Sequence, residues 1–370
     1  MIELDTNQKQ AVNTLENVVV SAGAGSGKTR VLAERFLHLI ELGCKVDRIL
    51  TLTFTNKAAV EMKERIFKTL KDTKTVNAQA ALKDFDKAHI QTLDSYFSDV
   101  AKSGAHYYGI TPAFSLDEDS INSTIYTHAL EYILERKDNQ AIKAMTKSLR
   151  VDELAKEVFA SSILRYTTVV DTRDFVKDAE KQYDEIARVW SEKTKQADSI
   201  VEEFFYALHN YEGKAKGVYE LQENLKPLTI IKGSSISADK ANCAKMEEYV
   251  LFLSAILKEN VPKAKDRVAE CFKALYSEAN GNIYKTLASC LDFMENYDTA
   301  KGIAQLLNEF QTQVNDTKRT SGKLTFKDVS HLAFTTLKEH SDIRHTEQAK
   351  FDKIMIDEFQ DNDQMQCDVL

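Results

Sequence analysis

Ala22-Gly23-Ala24-Gly25-Ser26-Gly27-Lys28-Thr29 follows the apolar run Val18-Val19-Val20 and leads into Val31, Leu32, Phe36, Leu37 and Ile40, spaced as on one face of a helix. That order predicts a strand, a glycine-rich turn and a helix. Glycines at 23, 25 and 27 let the backbone turn tightly with its N–H groups aimed inward, so a polyphosphate can sit at the positive end of the helix. Lys28 adds a point charge for the β- and γ-phosphates, and the Thr29 hydroxyl is placed to ligate Mg²⁺. The strict pattern G-x-x-x-x-G-K-[ST] has Gly where this chain has Ala22. The stretch reads as a nucleoside triphosphate site.

Downstream, Arg48 to Phe54 mixes apolar and β-branched residues as a strand does, and Asn56 can cap a helix carrying Ala59, Met62, Ile66 and Leu70 inward. His89 to Thr92 predicts a further strand that ends at a helix starting with Leu93. A β-α-β-α order of this kind builds a parallel sheet. At the far end, Ile354-Met355-Ile356 runs straight into Asp357-Glu358. An acid at a strand end can hold Mg²⁺ through water, which suits Asp357, and Glu358 is placed to orient or deprotonate an attacking water. In a compact sheet the strands of these two half-sites are near neighbours, so the block between them must leave the sheet and return. A second domain is expected to be inserted into the first.

The intervening residues, from about 117 to 322, lack strand alternation. Their longest stripe carries Phe175, Ala179, Tyr183, Ile186, Trp190, Ala197, Val201, Phe204, Leu208 and Tyr211 at helical spacings. A helix of that length spans roughly 60 Å, as an arm or one leg of a long antiparallel pair. Trp190 is expected in the core, and residues 213–240, with three glycines and Pro227, are expected to form a loop. One more amphipathic helix is expected from Thr325 to Lys338.

Composition sets bounds on function. The chain has 370 residues, room for roughly two or three domains, and its 43% apolar and 29% charged content is that of a globular protein. A net charge of -8 argues against holding nucleic acid by bulk attraction, so any DNA contact must be local. Five scattered cysteines without C-x-x-C spacing indicate neither a zinc site nor a disulfide framework. No basic-then-apolar segment opens the sequence, and no apolar run approaches membrane-spanning length. A soluble, cytoplasmic protein with no membrane partner is expected.

Several motifs together resemble the N-terminal half of a superfamily 1A DNA helicase of the UvrD/Rep type, closer within it to the AddA/RecB helicase-nuclease subunits. Leu4-x-x-Asn7-Gln8-x-x-Ala11 resembles the Q motif, residues 22–29 motif I, where Ala commonly replaces the first glycine, Thr53 to Met62 motif Ia, Ile90 to Tyr96 motif Ib, and Ile354 to Asp361 motif II. Leu324-Thr325-Phe326-x-Asp328 resembles the segment that re-enters the motor domain.

The resemblance implies an α/β fold with a P-loop (RecA-like) parallel sheet, helices on both its faces, and a large inserted all-helical domain. Residues 1–115 and 320–370 would form the ATP-binding motor domain and 116–319 the insert. It implies that Gln8 reads the adenine edge and that Ala22, Gly23, Ala24, Gly25, Ser26, Gly27, Lys28, Thr29 and, more weakly, Arg30 hold ATP. Thr29 and Asp357 would serve Mg²⁺, and Gln360 would couple the nucleotide state to DNA. Phe54, Thr55, Asn56, Thr92, Ser95 and Tyr96 are the candidate contacts to single-stranded DNA, where stacking aromatics and hydroxyl donors suit sequence-independent binding. The implied activity is an ATP-dependent DNA helicase or helicase-exonuclease subunit of double-strand break repair; the implied partners are DNA ends and a further helicase-nuclease subunit. A UvrD/Rep-type helicase without nuclease and a nucleotide-gated DNA- or protein-binding module are the alternatives. Nothing after Asp361 resembles the later motifs, so ATP binding with little turnover is expected of these residues alone.

Overall fold

The computed structural model describes residues 4–14, 16–23, 25–259, 267–277 and 282–370. In chain order its main elements are α1 (Thr6–Asn13), α2 (Lys28–Glu41), β1 (Ile49–Thr53), α3 (Asn56–Asp72), α4 (Val76–Lys83), β2 (His89–Thr92), α5 (Leu93–Gly104), β3 (Ser115–Leu116), α6 (Glu118–Glu135), α7 (Phe175–His209), α8 (Lys216–Leu225), α9 (Cys243–Lys258), α10 (Arg267–Tyr276), α11 (Ile283–Ser321), β4 (Lys323–Leu324), α12 (Phe326–Glu339), α13 (Ser341–Lys350), β5 (Lys353–Ile356) and α14 (Gln364–Val369). The chain is a mostly helical α/β protein with a small parallel sheet. It divides into two compact units, one of residues Met1–Thr127, Ile163–Thr172 and Thr312–Leu370, the other of His128–Ser162 and Arg173–Gln311. The expected 115/116 and 319/320 limits differ from these because α6 and α11 each run through a division without a break.

In the first unit β1 pairs in parallel with β2 on one side and β5 on the other. β1 is buried at all five positions, as expected of a central parallel strand. Its alternation sends Leu50 and Leu52 into a cluster with Phe97 and Val100 of α5 and Leu332 and Ala333 of α12, and Ile49 into another with Phe36 of α2 and Met62 and Ile66 of α3. The helices on β1 and β2 start with almost no connecting loop. Thr55 caps α3 by accepting from the Ala58 N–H, so the cap is Thr55 and Asn56 is already helical. Thr92 is at once the last residue of β2 and the cap of α5, its Oγ1 accepting from the Ser95 N–H at 3.2 Å.

The predicted strand at Val18–Val20 has no paired neighbour among the described residues, and its side chains stand 43%, 86% and 46% exposed. An apolar run becomes a strand only where another strand supplies hydrogen-bond partners. Behind α12, a buried ion pair joins Lys318 Nζ to Asp328 Oδ2 at 2.8 Å, with the two side chains 3% and 1% exposed. Asp328 also accepts from the Thr325 N–H and hydroxyl and from the Val169 N–H, so both its oxygens are satisfied. Two turns farther along α12, Gly104 of α5 meets Thr336 so closely that an added Cβ would lie 2.3 Å from Thr336 Cγ2.

The second unit is helical. α7, at 35 residues, is about 50 Å long and uninterrupted. Its stripe packs Trp190, Val201, Phe204 and Leu208 against α8, α9, α10 and α11. Trp190 is fully buried and donates its indole N–H to the Ile236 carbonyl at 2.8 Å. Within the stretch expected to be a loop, α8 buries Val218, Leu221 and Leu225, a one-face stripe disguised by Gly217 in its first turn and Pro227 just past its end. Asp198 of α7 gathers the Gly233 and Ser234 N–H groups and the Tyr249 hydroxyl, the last at 2.7 Å.

Candidate functional site

The loop after Val20 closes through the Ser26 N–H donating to the Gly23 carbonyl, and Gly25 and Gly27 take left-handed φ values of 77° and 85°. Those angles are open to glycine at little cost, whereas a Cβ would strain them. Gly27 caps α2 and offers no side-chain oxygen to do so. The first N–H groups of the helix therefore present the positive end of its dipole to whatever sits above the loop. Lys28, Thr29 and Arg30 form the first turn of α2, half-buried; Ala22 is half-buried, and Gly23, Gly25 and Ser26 are exposed. Ala24 lies outside the described residues.

Across from the loop, the backbone leaves β5 with the Asp357 N–H still bonded to the Leu52 carbonyl at 2.9 Å, which holds Asp357 at the carboxyl end of the sheet. Ligands of open parallel sheets bind at that end. Glu358 then turns into the left-handed region at φ 52°, ψ 42°, an uncommon conformation for a residue with a long side chain. The turn aims its carboxylate at the loop, where Lys28 Nζ lies 3.3 Å from Glu358 Oε1. Gln360 donates its amide to the same carboxylate. The two ends of the sequence thus meet at one point.

The two acids are driven apart in acidity. Gln360 and then Lys28 hold the Glu358 carboxyl below its ordinary range. Burial, reinforced by the Glu358 charge, pushes Asp357 up, with the Glu358 N–H and Lys28 pulling weakly the other way. The Thr29 hydroxyl and Asp357 carboxylate are hard oxygen donors of the kind Mg²⁺ prefers, and that ion commonly takes one or two protein ligands beside phosphate and water.

Gln8 belongs to this site. Asp5 caps α1 and forms a capping box with Gln8, whose Oε1 accepts from the Asp5 N–H at 3.0 Å. The other end of the same amide donates to the Ser26 carbonyl at 3.0 Å. Nothing in the sequence pattern singles out Arg35, yet its guanidinium on α2 donates to carbonyls at the end of α1.

The candidate DNA contacts separate by exposure. Thr55, Asn56 and Ser95 are exposed and Phe54 is half-buried. Thr92 is buried and engaged as a cap. Tyr96 is also buried, its ring packed near Phe97 and Phe351, and burial pushes its hydroxyl up to about 12. Tyr96 therefore has no free ring face for a base, because α5 turns that position toward the core with Phe97 and Val100.

No helix among the described residues is long and apolar enough to cross a membrane. The chain is similar over 98% of its length, at 27% identity, to an ATP-dependent helicase/nuclease subunit of Streptococcus suis, of which the match covers 33%. It is 26% identical to the protein of the same name from Clostridium perfringens over 97% of this chain and 32% of that one. It is 24% identical to the exonuclease/helicase subunit RexA of Lactococcus lactis over 99% of this chain and 34% of that one. The chain spans about a third of the length of these curated relatives. Residues 4–370 match the model of the UvrD/REP helicase N-terminal domain, which agrees with the loop, the acidic pair and the glutamine brought together in the fold. The chain belongs to the UvrD/REP helicase N-terminal domain family.

Proposed function

We propose that this chain is the ATP-binding lobe of a DNA helicase or translocase, working within a helicase-exonuclease subunit in double-strand break repair. The ion pair of Lys28 with Glu358 carries the reading, since it joins a phosphate loop and an acidic strand end from opposite ends of the chain. The sheet-bearing unit is the RecA-like motor domain and the helical unit its insert. In it, the Gly25–Gly27 turn and the start of α2 hold the triphosphate, Lys28 neutralises its outer phosphates, and Gln8 reads the base. Thr29 and Asp357 hold Mg²⁺, which when bound supplies charge neutralisation between the phosphates. Glu358 accepts a proton from, or orients, the attacking water, and Gln360 holds its carboxylate in place.

Thr55, Asn56 and Ser95 offer phosphate contacts to single-stranded DNA, with Phe54 beside them. The names of the relatives favour a helicase-nuclease setting, and hence DNA ends and a partner subunit, over a nuclease-free helicase. Titration of the 370-residue chain with a fluorescent ATP analogue and Mg²⁺ tests the reading. Saturable, Mg²⁺-dependent binding that Lys28→Ala weakens at least tenfold is expected; affinity unchanged by that substitution refutes the assignment of the loop.

A further inference from the structure

α1 is only eight residues long, too short to hold itself in place, and it carries Gln8. Its apolar contribution is small. Ala11 and Val12 are buried against Val31 of α2, with Leu4 at the edge. A single side chain ties down its carboxyl end. Arg35 of α2 directs Nη1 at the Ala11 and Thr14 carbonyls, both at 2.9 Å, and at the Val12 carbonyl at 3.3 Å, while Nη2 reaches the Glu16 carbonyl at 3.4 Å.

The last carbonyls of a helix have no intrahelical partner, and together they form the negative end of its dipole. A guanidinium is planar, always charged and rich in donors, so it can serve several of them at once, which an ammonium cannot do in one fixed geometry. Arg35 sits two turns along α2 from the phosphate loop. Between the Arg35 grip at one end of α1 and the Asp5 cap at the other, Gln8 is held with its amide against Ser26 of the loop. A Cβ at Gly27 would lie 3.6 Å from Gln8 Nε2, so amide and loop are in contact.

We propose that Arg35 is a positioning residue for base recognition: by gripping the carboxyl end of α1 it fixes Gln8 beside the phosphate loop, so that affinity for the base, but not for the phosphates, depends on it. This rests on Gln8 reading the base, as proposed above. Arg35 touches neither base nor phosphate. Its effect is selective because α1 gives the loop the Gln8 contact at the Ser26 carbonyl and no phosphate-holding residue, whereas Lys28 and Thr29 open α2, which packs on the sheet through Phe36 and Ile40.

The test compares Mg²⁺-ATP with Mg²⁺-tripolyphosphate, which has the phosphates and no base, as ligands of the full 370-residue chain in calorimetry. Wild type is expected to bind ATP more tightly than tripolyphosphate. Arg35→Ala is expected to lose about five- to tenfold in ATP affinity, the worth of one or two hydrogen bonds, with tripolyphosphate affinity unchanged. Gln8→Ala should give the same selective loss, and the double variant no more than either single one, since both remove one interaction. Should Arg35→Ala not fold, Arg35→Lys is expected to show the selective loss at smaller amplitude. Equal losses for both ligands, or additive losses in the double variant, overturn the role of Arg35 alone. Failure of wild type to bind either ligand overturns the nucleotide site itself, and with it this proposal.

Discussion

Lys28 Nζ stands 3.3 Å from Glu358 Oε1, so the cation proposed to serve phosphate and the acid proposed to serve water are paired with each other. A triphosphate bound as proposed would compete with that acid for Lys28. Glu358→Gln removes the competitor, and the expected result is ATP affinity at or above the wild-type value, by up to several-fold. Lys28→Ala is expected to weaken ATP at least tenfold by loss of a charge-assisted contact. Calorimetric titration reads both, and a Glu358→Gln chain that binds ATP more weakly than wild type contradicts the competition.

Asp357 must be ionised to hold a cation, and burial together with the Glu358 charge raises its proton affinity. Mg²⁺-dependent nucleotide binding should therefore fade as pH is lowered through the raised Asp357 value, sooner than an exposed aspartate would allow. In Glu358→Gln one raising charge is gone, so the midpoint of the loss should move to lower pH. Titrations from neutral to acidic pH, in each chain with and without Mg²⁺, measure that midpoint. A shift toward higher pH is the contrary result.

Removing Asp328 leaves Lys318 charged in a site where both side chains are almost inaccessible. Asp328→Ala is expected to cost about 3–5 kcal/mol in denaturant unfolding followed by circular dichroism. The Arg48–Asp352 pair, at 2.6 Å but with side chains 35% and 49% exposed, is the control. Asp352→Asn should leave the transition nearly where it was, since solvent screens that pair.

Gly104→Ala forces a methyl group into Thr336 and is expected to destabilise by about 1–3 kcal/mol through overpacking. Thr336→Ala in the same chain vacates the clashing atoms and should recover much of the loss. Thermal melting of the two single variants and the double variant provides the comparison; independent, additive effects would show that the two helices do not meet there as described.

Tyr96→Leu, which removes the ring, should leave single-stranded DNA affinity unchanged in fluorescence anisotropy, because the ring is already committed to Phe97 and Phe351. Asn56→Ala and Ser95→Ala, at exposed positions, should weaken it. The salt dependence of binding would register the loss of phosphate contacts.

Strands β1 and β5 are legible because they are short, largely apolar and end at polar or acidic residues, β2 because it ends at a helix cap, and α7 because its stripe runs unbroken. The phosphate loop and the acidic pair stand out for the same kind of reason: their chemistry is local in sequence. The Val18–Val20 stretch shows the opposite case, since a strand depends on a neighbour that local pattern does not report. Burial of Tyr96 is equally hidden; its place on the inner face of α5 depends on where Phe351 packs, far along the chain. α8 is masked by Gly217, which sits inside its first turn, and by Pro227, which marks the end of a helix as readily as a loop. Arg35 and Lys318 act through partners that only folding supplies, so their residue type alone signals nothing.

Because Thr92 closes β2 and opens α5 in a single residue, the unit has no slack at that joint. One extra residue there would rotate every following side chain of α5 by about 100°, swinging Phe97 and Val100 toward water and Ser95 away from its surface. A displacement of α5 along its axis is therefore passed straight to β2, with no loop between them to absorb it.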